Sequence, residues 1–363
     1  MSSRPLLLVA AVAALLAAPV ATASPTHAEL DRAVDRVVSA GAPGVIALVR
    51  DGHRTVRAAG GLADRRSRRP LRPGDRFRVG SNTKTFVATV VLQLAGEGRL
   101  ALEDTVERWL PGLVPGGGAI TVRQLLNHTS GLPDYAPEDD DSFIRQVLAD
   151  RRRRWTPQEL VGIAMARPPL FAPGAAWAYS NTGYVLLGLI AEAASGRPLA
   201  TELRRRIFAP LHLRGTTFAT GPGIAGRHGH GYSRFGARRL YDITAVDQSW
   251  AGAAGAIVSR ARDLARFQRA LLGGRLLRRD LLAQMRTTVP VGGQGYGLGL
   301  IRTRLPCGTF WGHGGETLGY LSYADTRPRA LRQVTIAVTA DQSAFGRRTM
   351  RALDRLRALA YCG

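Results

Sequence analysis

Gly80-Ser81-Asn82-Thr83-Lys84-Thr85-Phe86 places a serine three residues before a lysine, at the head of a run (83–95) whose apolar residues keep helical spacing. Positions i and i+3 share a helix face, so the Lys84 amine reaches the Ser81 hydroxyl. Ser81 stands where the helix begins, and the partial positive charge there favours an anion developing on its oxygen. Such a spacing alone arises by chance in most chains. Here the chain carries 50 basic residues, and Lys84 is its single lysine. Arginine stays protonated in proteins, whereas a desolvated lysine can lose its proton and act as a base. The lone lysine therefore points to chemistry; the competing reading is a leftover surface lysine.

Upstream of this segment, residues 28–40 have apolar residues at helical spacing, with Leu30, Val34, Val37 and Val38 on one face. Residues 44–49 and 55–59 are apolar stretches joined through Asp51-Gly52, a hairpin signal. Downstream, between Leu100 and Phe235, helical segments at 122–126, 157–165, 183–194 and 199–207 are separated by proline and glycine. The last third changes character: 296–301, 309–313, 318–324 and 333–339 read as strands, and 347–359 as a closing helix. The expected fold class is α/β of the α+β type. An antiparallel sheet built from both ends of the chain is flanked by the terminal helices and carries an all-α insertion lobe. The expected organisation is one catalytic unit over 24–363, with a sheet lobe at 24–80 and 250–363 and the helical lobe at 81–249.

The first 23 residues read as an export signal: Arg4, an apolar run from 6 to 20, then Ala21-Thr22-Ala23 as a cleavage site. The run is shorter than the roughly 20 apolar residues of a spanning helix and is broken by Pro19, which argues against an anchor. A secreted mature chain would begin near Ser24, with no stable membrane insertion. Its two cysteines, Cys307 and Cys362, suggest one disulfide in an exported protein, two free buried thiols being the alternative. They lack zinc-ligand spacing. His228 and His230 have no further ligand near in sequence, so neither a metal nor another cofactor is expected. The net charge of +23 and the run Arg151-Arg152-Arg153-Arg154 raise a nucleic-acid reading. The arginines are scattered, without aromatic interleaving or a nucleic-acid motif. A basic surface attracted to anionic envelope polymers fits better, and no nucleic-acid partner is expected.

Two further motifs follow Ser81. Tyr179-Ser180-Asn181 comes after Phe171-Ala172-Pro173-Gly174 and precedes a helical run; by itself it is commonly a packed tyrosine and a capping asparagine. His313-Gly314-Gly315 lies on an expected strand, where two glycines permit close backbone approach by a ligand; by itself it is commonly a turn. In this order the three elements resemble the signature of the serine β-lactamases and penicillin-binding proteins. The Tyr-x-Asn form is similar to the branch holding class C β-lactamases and secreted actinomycete D-alanyl-D-alanine carboxypeptidases. The resemblance extends through residues 125–132 (LLNHTSGL), 294–300 (QGYGLGL) and Cys362-Gly363.

The resemblance implies that Ser81 is the nucleophile, with Lys84 and Tyr179 handling its proton. Asn181 would bind the acyl-side amide of the substrate, and His313 would support Tyr179 or the leaving group. The backbone N–H groups of Ser81 and Glu316 would form the oxyanion hole. Trp250 would line the pocket, or else be an ordinary packed aromatic, and His128 would belong to a structural loop. A serine hydroxyl needs an adjacent base. Lysine and tyrosine titrate near 10, so burial or a nearby positive charge must lower one of them, and the sequence leaves open which.

The pattern departs from the family where a substrate carboxylate would be held. Gly314 and Glu316 stand where hydroxyl residues are usual, and an inward-turned Glu316 would repel an anionic terminus. The arginine of the preceding strand matches Ile301; Arg302 follows one residue later, on the opposite face, and either it, as the expected substrate-binding arginine, or Arg304 would have to compensate. The expected function is acyl-enzyme hydrolysis on Ser81, with D-alanyl-D-alanine carboxypeptidase action on peptidoglycan stem peptides favoured and β-lactams as covalent inhibitors. Its rivals are an esterase, a D-aminopeptidase or D-amino-acid amidase, and a weak β-lactamase acting on small acyl-D-amino acid or ester substrates. A non-catalytic envelope-binding protein is the reading from a different class, and the intact Ser81, Lys84, Tyr179 and Asn181 argue against it.

Overall fold

The computed structural model describes residues 24–327 and 332–363, so the expected export signal at 1–23 lies outside the described residues. Nine strands form one antiparallel sheet. Their order is Arg69–Pro70, Arg54–Asp64, Gly44–Asp51, Arg332–Val338, Tyr320–Thr326, Gly308–Thr317, Ile301–Leu305, Gln294–Tyr296 and Val289–Val291. The amino-terminal hairpin turns at Gly52, whose positive φ of 53° suits glycine. It joins the rest of the sheet through Gly44–Asp51 pairing with Arg332–Val338, from Val45 opposite Val338 to Asp51 opposite Arg332. Both ends of the chain therefore meet in the middle of the sheet, as the sequence leads one to expect.

Alternation along these strands builds two apolar layers. Val45, Ala47, Val49, Ile336 and Val338 pack with Leu30, Val34 and Val37 of the helix His27–Ser39 and with Leu353 and Leu356 of the helix Arg347–Cys362. The first helix starts on a Thr26–Glu29 capping box. On the opposite face, Ile46, Leu48, Trp311 and Ala324 join the large core shared with the central helices. Its axis is the helix Asn82–Gly96, buried nearly all round from Asn82 to Leu92, as a helix apolar on every side requires. Phe86 on this helix stacks on Phe267 of the helix Ala261–Leu272, with ring centroids 3.6 Å apart.

Three details differ from the sequence expectation. The strand read at 296–301 is two strands, Gln294–Tyr296 and Ile301–Leu305, separated by a turn closed by Gly297 N–H donating to the Leu300 carbonyl at 2.7 Å. At Gly299 (φ 70°) a Cβ would come within 2.6 Å of Ala88 Cβ, so the turn packs directly on the Ser81-bearing helix. The helix read at 199–207 is α only over Leu199–Leu203 and continues as a π-turn, Arg204–Phe208. The central region is mainly helical but also contributes short strands: Thr217–Phe218 and the pair Tyr232–Ser233 with Tyr241–Asp242.

Cys307 and Cys362 form a disulfide, Cα to Cα 5.5 Å, tying the start of the strand Gly308–Thr317 to the last helix. Among the described residues no helix is long and apolar enough to cross a membrane, and no group of three or more potential ligands could hold a metal ion. His228 and His230 stack on each other, and His230 Nδ1 lies 2.6 Å from Asp242 Oδ2.

Candidate active site

Ser81 is placed by what its neighbours lack. Gly80 has φ 52°, and a Cβ there would lie 2.5 Å from Glu316 O and 2.8 Å from Glu316 N. A Cβ on Gly315 would lie 2.0 Å from Val79 O. Only glycines let the strand Gly308–Thr317 press its backbone against the turn before the serine. Ser322 locks the contact, accepting from Asn82 Nδ2 at 2.9 Å and donating to Val79 O at 2.9 Å. Pairing with Ile301–Leu305 ends at Gly312, so residues 313–317 have a strand partner on one side only, Tyr320–Thr326. The Glu316 backbone lies against Gly80, at the turn that carries Ser81.

Lys84, fully buried, meets three groups: Ser81 Oγ at 3.0 Å, Asn181 Oδ1 at 2.7 Å and the Ala254 carbonyl at 3.1 Å. Burial pushes its amine down to about 7, against the opposing pull of the Asp134 carboxylate. A neutral amine has two hydrogens and one lone pair. Two of the three partners are pure acceptors and take the hydrogens, so the lone pair is left for Ser81. The Tyr179 hydroxyl donates to Ser81 Oγ at 2.8 Å, which turns the serine proton toward Lys84. Burial pushes the Tyr179 phenol well above its ordinary value, so it stays a donor.

Asn181 is held by a residue the sequence reading missed. Asp134 Oδ2 accepts from Asn181 Nδ2 at 2.8 Å and from its backbone N–H at 3.1 Å, while Oδ1 accepts from Ala136 N–H at 3.0 Å. Asp134 lies just beyond the segment 125–132, but a single acid in a loop carries no spacing to mark it.

His313 does not join the serine cluster directly; it ends a buried chain. The Ser180 N–H donates to His128 Nδ1 at 3.2 Å, which leaves the His128 proton on Nε2, 3.0 Å from Tyr296 Oη. The Tyr296 hydroxyl then donates to His313 Nε2 at 2.9 Å, and His313 Nδ1 donates to the Gly314 carbonyl. Every hydrogen in the chain is assigned with both rings neutral. Burial, together with the Lys84 charge, pushes His313 down to about 3 and His128 well below its ordinary value. His128, read as structural, and Tyr296, read only as the start of a strand and as part of the segment 294–300, thus fix the ring of His313.

The remaining candidates divide. Glu316 does not turn toward Ser81: its carboxylate accepts from Gln342 N–H at 2.8 Å and Gln342 Nε2 at 2.5 Å, and burial pushes it up to about 7. Gly314 faces the Tyr323 ring. Trp250 is 8% exposed, packs beside Phe143 and gives its carbonyl to the Tyr135 hydroxyl at 2.7 Å, a core position. Arg302 pairs with Gly295 on one side and Trp311 on the other, and its guanidinium lies against Gly295. No described hydrogen bond joins it to Ser81, Lys84 or Tyr179. Glu138 has an exposed side chain whose carboxyl is pushed up by partial burial and by Asp134 and Asp139; its charge makes a small contribution to raising both Tyr179 and Glu316.

The beta-lactamase family model matches residues 28–359. The chain belongs to that family. Among solved structures, this beta-lactamase family member is similar to a D-stereospecific amidohydrolase from Streptomyces sp., 41% identical, with 90% of this chain and 98% of that one covered at a TM-score of 0.82. The D-amino acid amidase from Ochrobactrum anthropi SV3 is 29% identical over 91% of this chain and 97% of its own, at a TM-score of 0.80. Esterase EstB of Burkholderia gladioli is 38% identical over 186 residues, 49% of this chain and 47% of its own length. The chain spans 33% and 47% of the length of the first two curated relatives it matches.

Proposed function

We propose that the protein is an exported serine hydrolase, with signal cleavage near Ala23, that acts through Ser81 and cleaves amides, and esters more readily, of D-amino acids that carry a free α-ammonium group. The observation that carries the substrate class is the electrostatics of the cleft. His313, where a lysine could supply positive charge, is neutral and committed to Tyr296. Arg302 is directed along the sheet. Glu138 instead contributes negative charge felt at Tyr179. A cationic substrate end is favoured here, and a terminal carboxylate is not. The likeness to two D-specific amide hydrolases over nearly their whole lengths supports the same reading. It is therefore favoured over carboxypeptidase action on peptidoglycan stem peptides.

In acylation the Ser81 oxygen attacks the substrate carbonyl as its proton passes to the Lys84 lone pair. Negative charge on the carbonyl oxygen is met by the backbone N–H groups of Ser81 and Glu316. When the C–N or C–O bond breaks, the leaving group takes a proton from the Tyr179 hydroxyl, and the protonated Lys84 amine, 4.7 Å from the Tyr179 ring centroid, returns its proton to the phenolate. Water then attacks the acyl-Ser81 ester with the same groups acting in reverse.

The test compares turnover of D-phenylalanine amide, L-phenylalanine amide, N-acetyl-D-phenylalanine amide, a diacylated L-Lys-D-Ala-D-Ala tripeptide and a short-chain aryl ester. The free D-amide should be the best of the amide and peptide substrates. Faster D-alanine release from the tripeptide would restore the carboxypeptidase reading, and turnover of aryl esters alone would make the protein an esterase. Mass spectrometry after incubation with a penicillin checks for an adduct on Ser81.

A further inference from the structure

We infer that Asp134 is a positioning residue for acylation: by holding the Asn181 amide in one orientation, it directs the lone pair of Lys84 at Ser81. This rests on the reading of Lys84 as the base. An asparagine amide can present either its oxygen or its nitrogen to a neighbour. An ionised carboxylate only accepts, so Asp134 Oδ2, 2.8 Å from the amide nitrogen, fixes Nδ2 toward itself and Oδ1 toward Lys84. Were the amide reversed, its NH2 group would face Lys84, and the amine would turn its lone pair there instead of to the serine. Asp134 cannot rotate away. It is 8% exposed, it also accepts the Asn181 and Ala136 backbone N–H groups, and the Pro133 carbonyl beside it accepts from the Thr182 and Ser180 hydroxyls. One loop, 133–136, is thereby fastened to the start of the helix Asn181–Ser195 at five hydrogen bonds, and the amide orientation follows from it.

Asp134 has a second effect through its charge. The groups around the Lys84 amine are Tyr179 and Tyr184, whose rings lie 4.7 and 5.4 Å from Nζ, the neutral His128 and His313, and Asp134. Of these, Asp134 is the group whose charge favours the protonated amine. The groups that respond to Asp134 are Lys84, Glu138, Tyr135 and Tyr179. Removing its charge therefore moves the protonation of Lys84 to lower pH. A residue serving merely as a helix cap would not move the pH profile.

The experiment is a double-mutant cycle of Asp134→Asn and Asn181→Ala, read as the acylation rate on an aryl ester and as its pH profile, with Lys84→Ala alongside. Asp134→Asn should lower kcat/KM by roughly 100-fold, the size expected of a small misplacement in a reacting geometry. It should also move the acid limb to lower pH, and it should add little in the Asn181→Ala background. Additive losses, or an unmoved acid limb, overturn the inference. Should Asp134→Asn fail to fold, Asp134→Ser removes the carboxylate with a smaller side chain and is judged by the same two readouts. Lys84→Ala separates the two levels of argument. If that variant keeps its acylation rate, the base assignment itself fails; if it is inactive while the cycle is additive, only the role of Asp134 fails.

Discussion

The Tyr179 hydroxyl lies 2.8 Å from Ser81 Oγ and donates to it, although burial has pushed the phenol well above its ordinary range. The contact therefore belongs to a protonated tyrosine, which can give a proton to a leaving group and cannot take one from serine at neutral pH. Tyr179→Phe should lower kcat on an amide by about 10²–10⁴-fold, the usual span for a lost proton donor. On an ester with a good leaving group the loss should be smaller. Equal losses on both substrates would mean that the tyrosine acts in some other way.

Lys84 supplies the complementary prediction. Its amine is pushed down to about 7, and it must be neutral to accept the serine proton, so kcat/KM should rise with pH and level off above about 7. Lys84→Arg keeps the charge and loses the deprotonation. It should abolish the acylation burst on an aryl ester, with circular dichroism unchanged. A variant that acylates at a near-normal rate would remove lysine from the base role.

The cluster of Ser81, Lys84, Tyr179 and Asn181 was legible in the sequence because the proton transfer proposed for it demands particular residue types, and two of them occupy one turn of helix. The single lysine made that turn stand out. The sheet was equally legible, because alternation and the Asp51-Gly52 turn are local signals. What escaped was set by contacts across the fold. Asp134 matters through Asn181, 47 residues away, and Tyr296 through His128 and His313. The break between Gln294–Tyr296 and Ile301–Leu305 arises because Gly299 packs on Ala88, which no window of sequence displays. The direction of Arg302 depended on its register with Gly295 and Trp311.

Glu138 tests the substrate class. An exposed carboxylate paired with a substrate ammonium contributes about 1 kcal/mol or less, close to fivefold in binding. Glu138→Gln should therefore raise KM for D-phenylalanine amide about fivefold in low salt, leave kcat nearly unchanged, and not affect an N-acetylated ester. An equal rise for the charged and the acetylated substrate would place Glu138 outside the recognition of charge.

Gly80 tests the placement of the Glu316 backbone. A methyl group at Gly80 meets Glu316 O at 2.5 Å and Glu316 N at 2.8 Å, and these are backbone atoms that cannot rotate aside. Together with φ at 52°, this predicts that Gly80→Ala destabilises the fold by about 1–3 kcal/mol. It should also displace the Glu316 N–H from the developing oxyanion, with kcat falling by roughly 10²–10³-fold, as for loss of one such donor. Thermal unfolding and steady-state kinetics report the two effects separately. Full activity in a folded Gly80→Ala protein would show that the Glu316 amide is not part of the oxyanion hole.

The disulfide should matter for stability and not for chemistry. Cys307 and Cys362 are 55 residues apart in sequence, and their bond restrains the unfolded chain over that loop. Loss of such a native bond typically costs about 2–5 kcal/mol. Cys307 precedes the strand Gly308–Thr317, but that strand is held independently by pairing with Tyr320–Thr326 from Trp311 to Thr317 and by Ser322 at Val79. The paired Cys307→Ser and Cys362→Ser variant should therefore unfold several degrees below the parent, while kcat at 25 °C stays within about twofold, because the bonded backbone around Glu316 is retained. If melting temperature is unchanged, the bond adds no restraint beyond the packing of the last helix. If kcat collapses in a variant that is still folded, the sheet edge depends on the bond and the site is less rigid than its hydrogen bonds imply.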